Sequence, residues 1–147
     1  MQVFLLEDNE DFSSVMDVLL QLRPSYNKES ITVQIKKQMA QGYRVVYVKS
    51  EGHILAAAGF VAGEKLAWGK HIYIDDLITN ESYRSKGAGA LLIEWFKRHC
   101  KEAGYDQLHL DSGVQRFSAH RFYLRERFNI ESHHFSITGI CSLKNFN

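Results

Sequence analysis

Residues 84–90 read RSKGAGA, a glycine-rich turn that directly precedes the clearest helical pattern in the chain. That pattern extends to about Ala103 and stops at Gly104. The first N–H groups of a helix have no partner within it and lie at the positive end of its dipole, so they attract anions. Arg84 and Lys86 add positive charge beside them, and the small residues allow close approach to the backbone. The turn therefore predicts an anion site of pyrophosphate size.

Other interpretations of this turn fit the sequence less well. A phosphate loop of the GxxxxGK[ST] type is excluded, because no Lys-Ser or Lys-Thr pair follows the glycines. A dinucleotide fingerprint needs a small residue where Leu92 stands. Asp111, about 20 residues on, occupies the place of its acid, so this alternative stays open. A plain loop-to-helix turn with solvated cations is the third interpretation.

Strand and helix patterns alternate on both sides of the turn. Period-two and β-branched runs predict strands at 3–6, 43–49, 53–62, 71–79, 107–111 and 130–140. Amphipathic spacing predicts helices at 11–22, 30–42, 87–103 and 118–127, with Pro24 ending the first and Ser30 capping the second. Glu51 and Gly52 predict a hairpin turn, and residues 63–69 a loop. This order predicts one α/β domain over residues 1–147.

Two blocks of sequence together resemble the GNAT superfamily of N-acetyltransferases. IDDLIT (74–79) followed by RSKGAG (84–89) is similar to its acyl-coenzyme A motif, and AHRFYLRERF (119–128) to its A-x-x-F-Y-x-x-x-G-F segment. Arg127 stands where the family usually has glycine. The resemblance implies a single-domain GNAT-like fold, with a mixed, mostly antiparallel twisted sheet of about six to seven strands and about four flanking helices.

The resemblance also implies acetyl-CoA as co-substrate and no metal. Its pantetheine arm would enter an opening between the fourth and fifth strands and pair with the backbone of Leu77, Ile78 and Thr79, whose side chains can be core residues at the same time. The pyrophosphate would be held by the turn and the start of the helix, namely Arg84, Ser85, Lys86, Gly87, Ala88, Gly89 and Ala90.

Three residues are candidates for proton transfer. The resemblance implies that Tyr123 protonates the leaving thiolate, although a core aromatic with a satisfied hydroxyl is the alternative. Asp75 and Asp76 are neighbours on a predicted strand, so they would face opposite sides of the sheet and at most one would point into a given cleft. That carboxylate would act as general base or only attract a cationic amine, and a water chain is a further candidate base.

The acceptor pocket is expected on loops, because loops on a rigid scaffold usually determine specificity. Tyr26, Glu29 and Trp68 would hold an ammonium group through charge and ring faces, or they are simply surface residues. The acceptor is expected to be a small-molecule or peptide amine, and a homodimer is compatible with the family.

Composition limits the partners. The 147 residues contain 18 Lys and Arg against 17 Asp and Glu, a formal charge of +1, which gives no general attraction to nucleic acid or a membrane surface. Two cysteines make no disulfide framework, and neither occupies the position of a nucleophile. We expect no signal peptide and a cytoplasmic protein, because residues 1–8 lack a basic segment and no apolar run reaches the ~18–20 residues of a membrane span.

These observations predict an acetyl-CoA-dependent N-acetyltransferase that moves an acetyl group to a primary amine by direct attack in a ternary complex. A non-catalytic acyl-CoA-binding or interaction module with the same fold is the alternative. A small Rossmann-like nucleotide-binding protein is a third class, which would bind nicotinamide or flavin rather than coenzyme A.

Overall fold

In the computed structural model, which describes residues 1–142 and 144, the strands of the sheet follow the order of the chain. The five strands are Gln2–Leu5 (β1), Arg44–Ser50 (β2), His53–Lys65 (β3), Gly69–Thr79 (β4) and Gln107–Leu110 (β5). Neighbours from β1 to β4 pair antiparallel, whereas β4 and β5 pair in parallel. The mixed sheet confirms the predicted α/β class. It differs from the parallel sheet that a Rossmann-like fold requires.

Residues 1–142 contain four α-helices, as predicted: Phe12–Leu22 (α1), Lys28–Met39 (α2), Ala88–Ala103 (α3) and Phe117–Arg125 (α4). The prediction that Ser30 caps α2 was wrong, because Asn27 is the cap. Asn27 Oδ1 accepts from the Ser30 N–H at 2.8 Å, and Ser30 Oγ accepts from the Asn27 N–H at 2.9 Å. Ser30 therefore supplies the reciprocal bond of a capping box from the third helical position.

Helices cover both faces of the sheet, and this explains the continuous apolar run in β2. On one face, α1 and α2 contribute Val15, Met16 and Ile31 to a core that includes Tyr47. On the other face the ring of Phe60 packs edge-on against Phe96 of α3, with centroids 5.1 Å apart. Strands covered on both sides lose the alternation of apolar and polar residues that marks a half-exposed strand.

Of the two hairpin turns, the β2–β3 turn has the predicted length and the β3–β4 turn is shorter than predicted. Glu51 and Gly52 join β2 to β3 with φ of 50° and 80°, as a two-residue turn requires. The loop expected at residues 63–69 is shorter, because β3 continues to Lys65 and β4 begins at Gly69.

The chain forms two compact units, Met1–Leu110 with the sheet and Asp111–Asn147 with α4 and a 3-10 turn at Ile140–Ser142. The strand expected at residues 130–140 was wrong, so the sheet has five strands rather than six to seven. Phe135 and Ile137 are 90% and 77% exposed. Their β propensity reflects a fit to a half-buried pleated surface, which they do not meet here.

The described part of the chain shows neither a membrane-spanning helix nor a metal-binding group. No helix in residues 1–142 has both the length and the apolar character needed to cross a membrane. Over the same residues, no three side chains of His, Cys, Asp or Glu are grouped as a metal site requires.

Candidate active site

Strands β4 and β5 separate partway along β4, and we call this point the fork. The parallel pairing runs from His71 with Gln107 to Ile74 with Leu110 and ends there. Strand β4 continues to Thr79, and over Asp76–Thr79 its other side pairs with β3. The backbone of Leu77, Ile78 and Thr79 therefore lies beyond the last β4–β5 pair. An extended ligand can add to such an edge as a further strand.

A β-bulge lies at the fork. Gly59 of β3 pairs with Asp76 and Phe60 with Ile74, so Asp75 is an extra residue in β4. A bulge bends the strand and changes the direction of its side chains. The expectation that Asp75 and Asp76 face opposite sides assumed a regular strand, and the bulge removes that assumption.

Two side chains from other elements hold the carboxylate of Asp76. The Tyr43 hydroxyl donates to Oδ2 at 2.6 Å, and Arg23 Nε donates to Oδ1 at 2.9 Å. The guanidinium also forms an ion pair with Asp76, with Nη2 2.8 Å from Oδ1. Burial, followed by the charge of Asp76, raises the pKa of the Tyr43 phenol far above its ordinary value. Tyr43 therefore stays protonated and remains a hydrogen-bond donor at any working pH.

Arg23 also fixes the backbone of the bulge, because its Nη2 donates to the carbonyl oxygen of Asp75 at 3.2 Å. Asp75 is exposed as a whole residue, yet neighbouring atoms exclude part of the water around its carboxyl group. This desolvation, and then the charge of Asp76, raises the pKa of Asp75, while Arg23 opposes the rise. A raised pKa brings a carboxylate closer to the range of a useful proton acceptor.

The turn after β4 is fastened to both β3 and α1. The Asn80 N–H donates to Leu55 O at 2.8 Å, and Asn80 Nδ2 donates to Ile54 O at 2.9 Å. Gln21 of α1 donates to Asn80 Oδ1 at 3.2 Å and accepts from the Glu81 N–H at 3.0 Å. The path from the fork to the glycine turn therefore starts from a fixed point.

The glycine turn has the backbone conformation of a helix start that leaves amides available. Ser85 and Gly87 are left-handed, with φ of 65° and 83°, and Gly87 precedes α3 as its cap. The first backbone hydrogen bond of the helix runs from the Leu91 N–H to Gly87 O at 3.1 Å. The amides before it have no partner within the helix, and they belong to Ala88, Gly89 and Ala90. Arg84, Ser85 and Lys86 are exposed beside them, so the turn can bind an anion.

Tyr123 lies on α4 in the second unit, where the end of the helix forms a Schellman motif. The Phe128 N–H donates to Tyr123 O at 3.0 Å and the Arg127 N–H to Leu124 O at 3.1 Å. Arg127 has φ 74°, so it adopts the left-handed conformation for which the family uses glycine. Burial raises the pKa of Tyr123, and the nearby positive charge of Arg116 opposes part of this rise. The raised pKa keeps the phenol protonated, as a general acid must be.

The three predicted acceptor residues do not lie together. Tyr26 and Glu29 line an open groove of about 440 Å³ beside the start of α2. Trp68 lies in the β3–β4 turn, stacked on His109 with ring centroids 3.5 Å apart. The turn precedes Asp76 by seven or more residues, which is about 23 Å of strand. Tyr26 lies near Arg23, because the Tyr26 N–H donates to Arg23 O. Trp68 therefore lies far along the sheet from both Arg23 and Tyr26.

Cys100 is not an activated nucleophile in the structure. Cys100 is buried on α3, and burial raises the pKa of its thiol. A thiol of that kind is largely protonated near neutral pH and reacts poorly. Cys141 is exposed in the second unit.

Sequence analysis missed Tyr43 and Arg23, which reach Asp76 from 33 and 53 residues away. One signal was available, because Gly59 interrupts a covered strand and a glycine there marks close approach of another group. A Cβ built on Gly59 would lie 1.5 Å from the Tyr43 hydroxyl oxygen.

The family model and the curated proteins that match this chain are all acetyltransferases. The model of the acetyltransferase (GNAT) family matches residues 10–128. The uncharacterized N-acetyltransferase YhdJ of Bacillus subtilis (strain 168) is 29% identical over 132 residues, which cover 88% of this chain and 93% of that protein. The aminoalkylphosphonate N-acetyltransferase of Salmonella typhimurium (strain LT2) is 32% identical over 65 residues, covering 44% of this chain and 41% of that protein.

The fold is also that of solved acetyltransferases. The glucosamine-6-phosphate N-acetyltransferase of Arabidopsis thaliana superposes with a TM-score of 0.75 at 22% identity, covering 94% of this chain and 97% of that one. The ribosomal-protein-alanine N-acetyltransferase of Brucella melitensis biovar Abortus 2308 gives a TM-score of 0.76 at 14% identity, covering 93% and 99%. The family match spans most of the sheet and the second sequence block, so this chain belongs to the acetyltransferase (GNAT) family.

Proposed function

We propose that this chain is an acetyl-CoA-dependent N-acetyltransferase that transfers an acetyl group to a primary amine by direct attack in a ternary complex. The observation that carries the proposal is the fork, whose free β4 edge continues into the glycine turn. A free strand edge suits the amide groups of a pantetheine arm, and helix amides beside two cations suit a pyrophosphate.

The residues present fit this co-substrate. When bound, acetyl-CoA supplies an acyl group activated as a thioester. The backbone of Leu77, Ile78 and Thr79 would hold its pantetheine arm, and the pyrophosphate would be held by the glycine turn, namely Arg84, Ser85, Lys86, Gly87, Ala88, Gly89 and Ala90. The proposal needs no metal.

The chain's own side chains would manage the protons. An ammonium acceptor has no free lone pair, so Asp75 or Asp76 would first take one proton from its nitrogen. As the C–N bond forms and the C–S bond breaks, the nitrogen loses a second proton to solvent. Tyr123 would give its phenolic proton to the departing thiolate and regain one from solvent. The aspartate then releases its proton to solvent, so that one thioester and one ammonium become one amide, one thiol and one free proton.

Direct attack is supported by the state of Cys100. A covalent acyl-enzyme would need a reactive thiolate, whereas the Cys100 thiol is buried with a raised pKa. We therefore assign the attack to the acceptor nitrogen itself.

The acceptor would be a small-molecule or peptide amine rather than a nucleic acid or a membrane component. A formal charge of +1 supports a local site over a broad charged surface. Tyr26 and Glu29 line a groove on the α1–α2 side. They are the better-supported acceptor contacts, and Trp68 would act only on a long acceptor. The cytoplasm, with its reducing conditions and its supply of acetyl-CoA, is the compartment that we propose.

Thermal unfolding with and without acetyl-CoA tests the proposal, followed by free-thiol release over a panel of amines. At a ligand concentration of 100 Kd, a ligand of the native state adds about 2.7 kcal/mol of stability, so the transition must rise measurably. An unchanged transition would contradict the proposal. Stabilisation without thiol release from any amine would favour the non-catalytic acyl-CoA-binding module, and stabilisation by NAD alone would favour a nucleotide-binding protein.

A further inference from the structure

The network around Asp76 gives two adjacent carboxylates different surroundings. Both oxygens of Asp76 accept hydrogen bonds, one from Tyr43 and the other from Arg23, which also forms an ion pair with the carboxylate. A proton on Asp76 would remove the negative charge that pairs with Arg23 and would weaken the hydrogen bond from the buried Tyr43 hydroxyl, and both changes carry a cost.

The position of Tyr43 is itself constrained. Its side chain is 3% exposed and crosses β3 directly over Gly59, where a Cβ atom would lie 1.5 Å from the hydroxyl oxygen. The absence of a side chain at Gly59 thus opens the path by which the start of β2 reaches Asp76. Any larger residue there would displace the phenol.

The bulge and the fork coincide at Asp75. On the β3 side Asp75 is the residue omitted from the register, and on the β5 side the last pair is Ile74 with Leu110. The carbonyl oxygen of Asp75 is held by Arg23. Asp75 thus stands on a fixed backbone at the point where the sheet opens.

We propose that Tyr43 and Arg23 are positioning residues that engage Asp76 and the bulge, leaving Asp75 as the carboxylate that accepts the proton of the acceptor ammonium. This inference rests on the proposed function. In the step, one N–H bond of the ammonium breaks, an O–H bond forms on Asp75, and the nitrogen keeps the electron pair with which it attacks.

Within residues 1–110, the titratable and charged groups that face Asp75 come from β4, the end of α1 and the segment before β2. Asp76 on β4 raises the pKa of Asp75, after the larger effect of desolvation, and Arg23 at the end of α1 lowers it. Tyr43, before β2, bonds to Asp76. From β3, the residue opposite the bulge is the uncharged Gly59.

The test is the pH dependence of kcat/KM for one acceptor amine. Asp75→Asn should lower the rate roughly 10²- to 10⁴-fold and remove the acidic limb that Asp75 contributes. Asp76→Asn should keep that limb but move it to lower pH by roughly half to one pH unit, because a negative neighbour is lost. Arg23→Gln should move it to higher pH, because a positive neighbour is lost. The acceptor's own ionisation is the same in every variant.

Tyr43→Phe and Tyr47→Phe form a matched pair. Each removes one tyrosine–aspartate hydrogen bond from the same region of the chain, since Tyr47 donates to Asp11 at 2.7 Å. Both should lower the unfolding temperature, but Tyr43→Phe alone should lower kcat, roughly 10- to 100-fold, with the KM for acetyl-CoA unchanged. Equal losses of kcat would overturn the positioning role. If Tyr43→Phe fails to fold, Asp76→Asn and Arg23→Gln decide.

The proposal is overturned if Asp76→Asn abolishes the limb while Asp75→Asn only moves it, or if neither Asp76→Asn nor Arg23→Gln moves it. A carboxyl NMR titration of the full chain provides a readout apart from activity. It should show a raised pKa for Asp75 that falls in Asp76→Asn and rises in Arg23→Gln. Failure of wild-type thiol release would then contradict the proposed function, whereas failure of these opposite shifts would contradict the assignment of Asp75.

Discussion

At the scale of single residues, Arg127 turns the chain after α4 in a conformation that usually belongs to glycine. The left-handed conformation destabilises the folded state by about 1–2 kcal/mol when the residue is not glycine. Glycine removes this strain, but it loses more conformational entropy on folding, which offsets about 0.5–1 kcal/mol of the gain. We predict that Arg127→Gly raises the free energy of unfolding by about 0.5–1 kcal/mol, measured by urea unfolding. Arg121→Gly within α4 is the control and should lose about 1 kcal/mol. A destabilised Arg127→Gly variant would show that the arginine side chain outweighs the strain.

Tyr123 carries the second prediction at this scale. Tyr123→Phe keeps the ring that packs edge-on against Phe128, 5.8 Å away between centroids, and removes only the hydroxyl. We predict a fall in kcat of roughly 10²- to 10⁴-fold, with acetyl-CoA binding retained in the thermal assay. Unreduced turnover would show that Tyr123 is not the general acid and that solvent protonates the leaving thiolate.

Sequence analysis could identify residues whose role follows from local pattern, and it missed those whose role depends on tertiary contact. The left-handed conformation of Gly104 follows from its place at the end of a helix. Arg23 stands beside Pro24 at the end of the first helix, yet its guanidinium engages Asp76. Nothing in its neighbours along the chain indicates a partner 53 residues away.

At the scale of secondary-structure elements, most strands and helices were predictable because their periodicity is strong. The bulge in β4 was not, since a pair of aspartates in a strand does not reveal which residue its neighbour omits. The failed strand at residues 130–140 has the opposite cause. Its β-branched residues favour extended structure, but a strand exists only beside another strand, and sequence does not supply the partner.

Gly87 offers a test of the glycine turn. Gly87→Ala places a Cβ in a left-handed residue with φ 83°, at a cost of about 1 kcal/mol in stability, although no other atom lies within 4 Å. We predict that it also weakens acetyl-CoA binding by roughly tenfold, because the helix amides shift, as measured by titration calorimetry.

The matched control is Gly52→Ala in the β2–β3 hairpin. Gly52 has φ 80° and equally open surroundings, so the backbone strain is the same. Its loss of stability should be similar while acetyl-CoA affinity is retained. If both variants bind acetyl-CoA like the wild type, the turn does not hold the pyrophosphate.

At the scale of the whole molecule, acid stability should depend on the contact between α1 and β2. Asp11 accepts from Lys49 Nζ at 2.8 Å and from the Tyr47 hydroxyl at 2.7 Å, and these bonds, that of Lys49 first, lower the pKa of Asp11. A carboxylate with a lowered pKa in the folded state stabilises the protein above its unfolded pKa of about 3.9, and this contribution is lost as the pH falls through the folded value.

We therefore predict that Asp11→Asn lowers the unfolding temperature at pH 7 and flattens its decline between about pH 5 and pH 2. Scanning calorimetry across this range is the measurement. Asp17→Asn is the control, since Asp17 is exposed and pairs with Lys28 at the surface, where ion pairs contribute little. An unchanged pH profile in Asp11→Asn would assign the acid sensitivity to other carboxylates.

The agreement of strand order with chain order has a consequence for how the protein folds. Strands β2, β3 and β4 are joined by short turns, so they can assemble from contacts that are local in sequence, and such contacts form quickly. Strand β5 joins only after α3 has crossed over the sheet, which requires closing a much longer loop. Strand β5 on one edge, like β1 on the other edge after α1 and α2, is therefore expected to join the sheet later than the central strands. In a refolding experiment, hydrogen-exchange protection should reach β2 and β3 before β5.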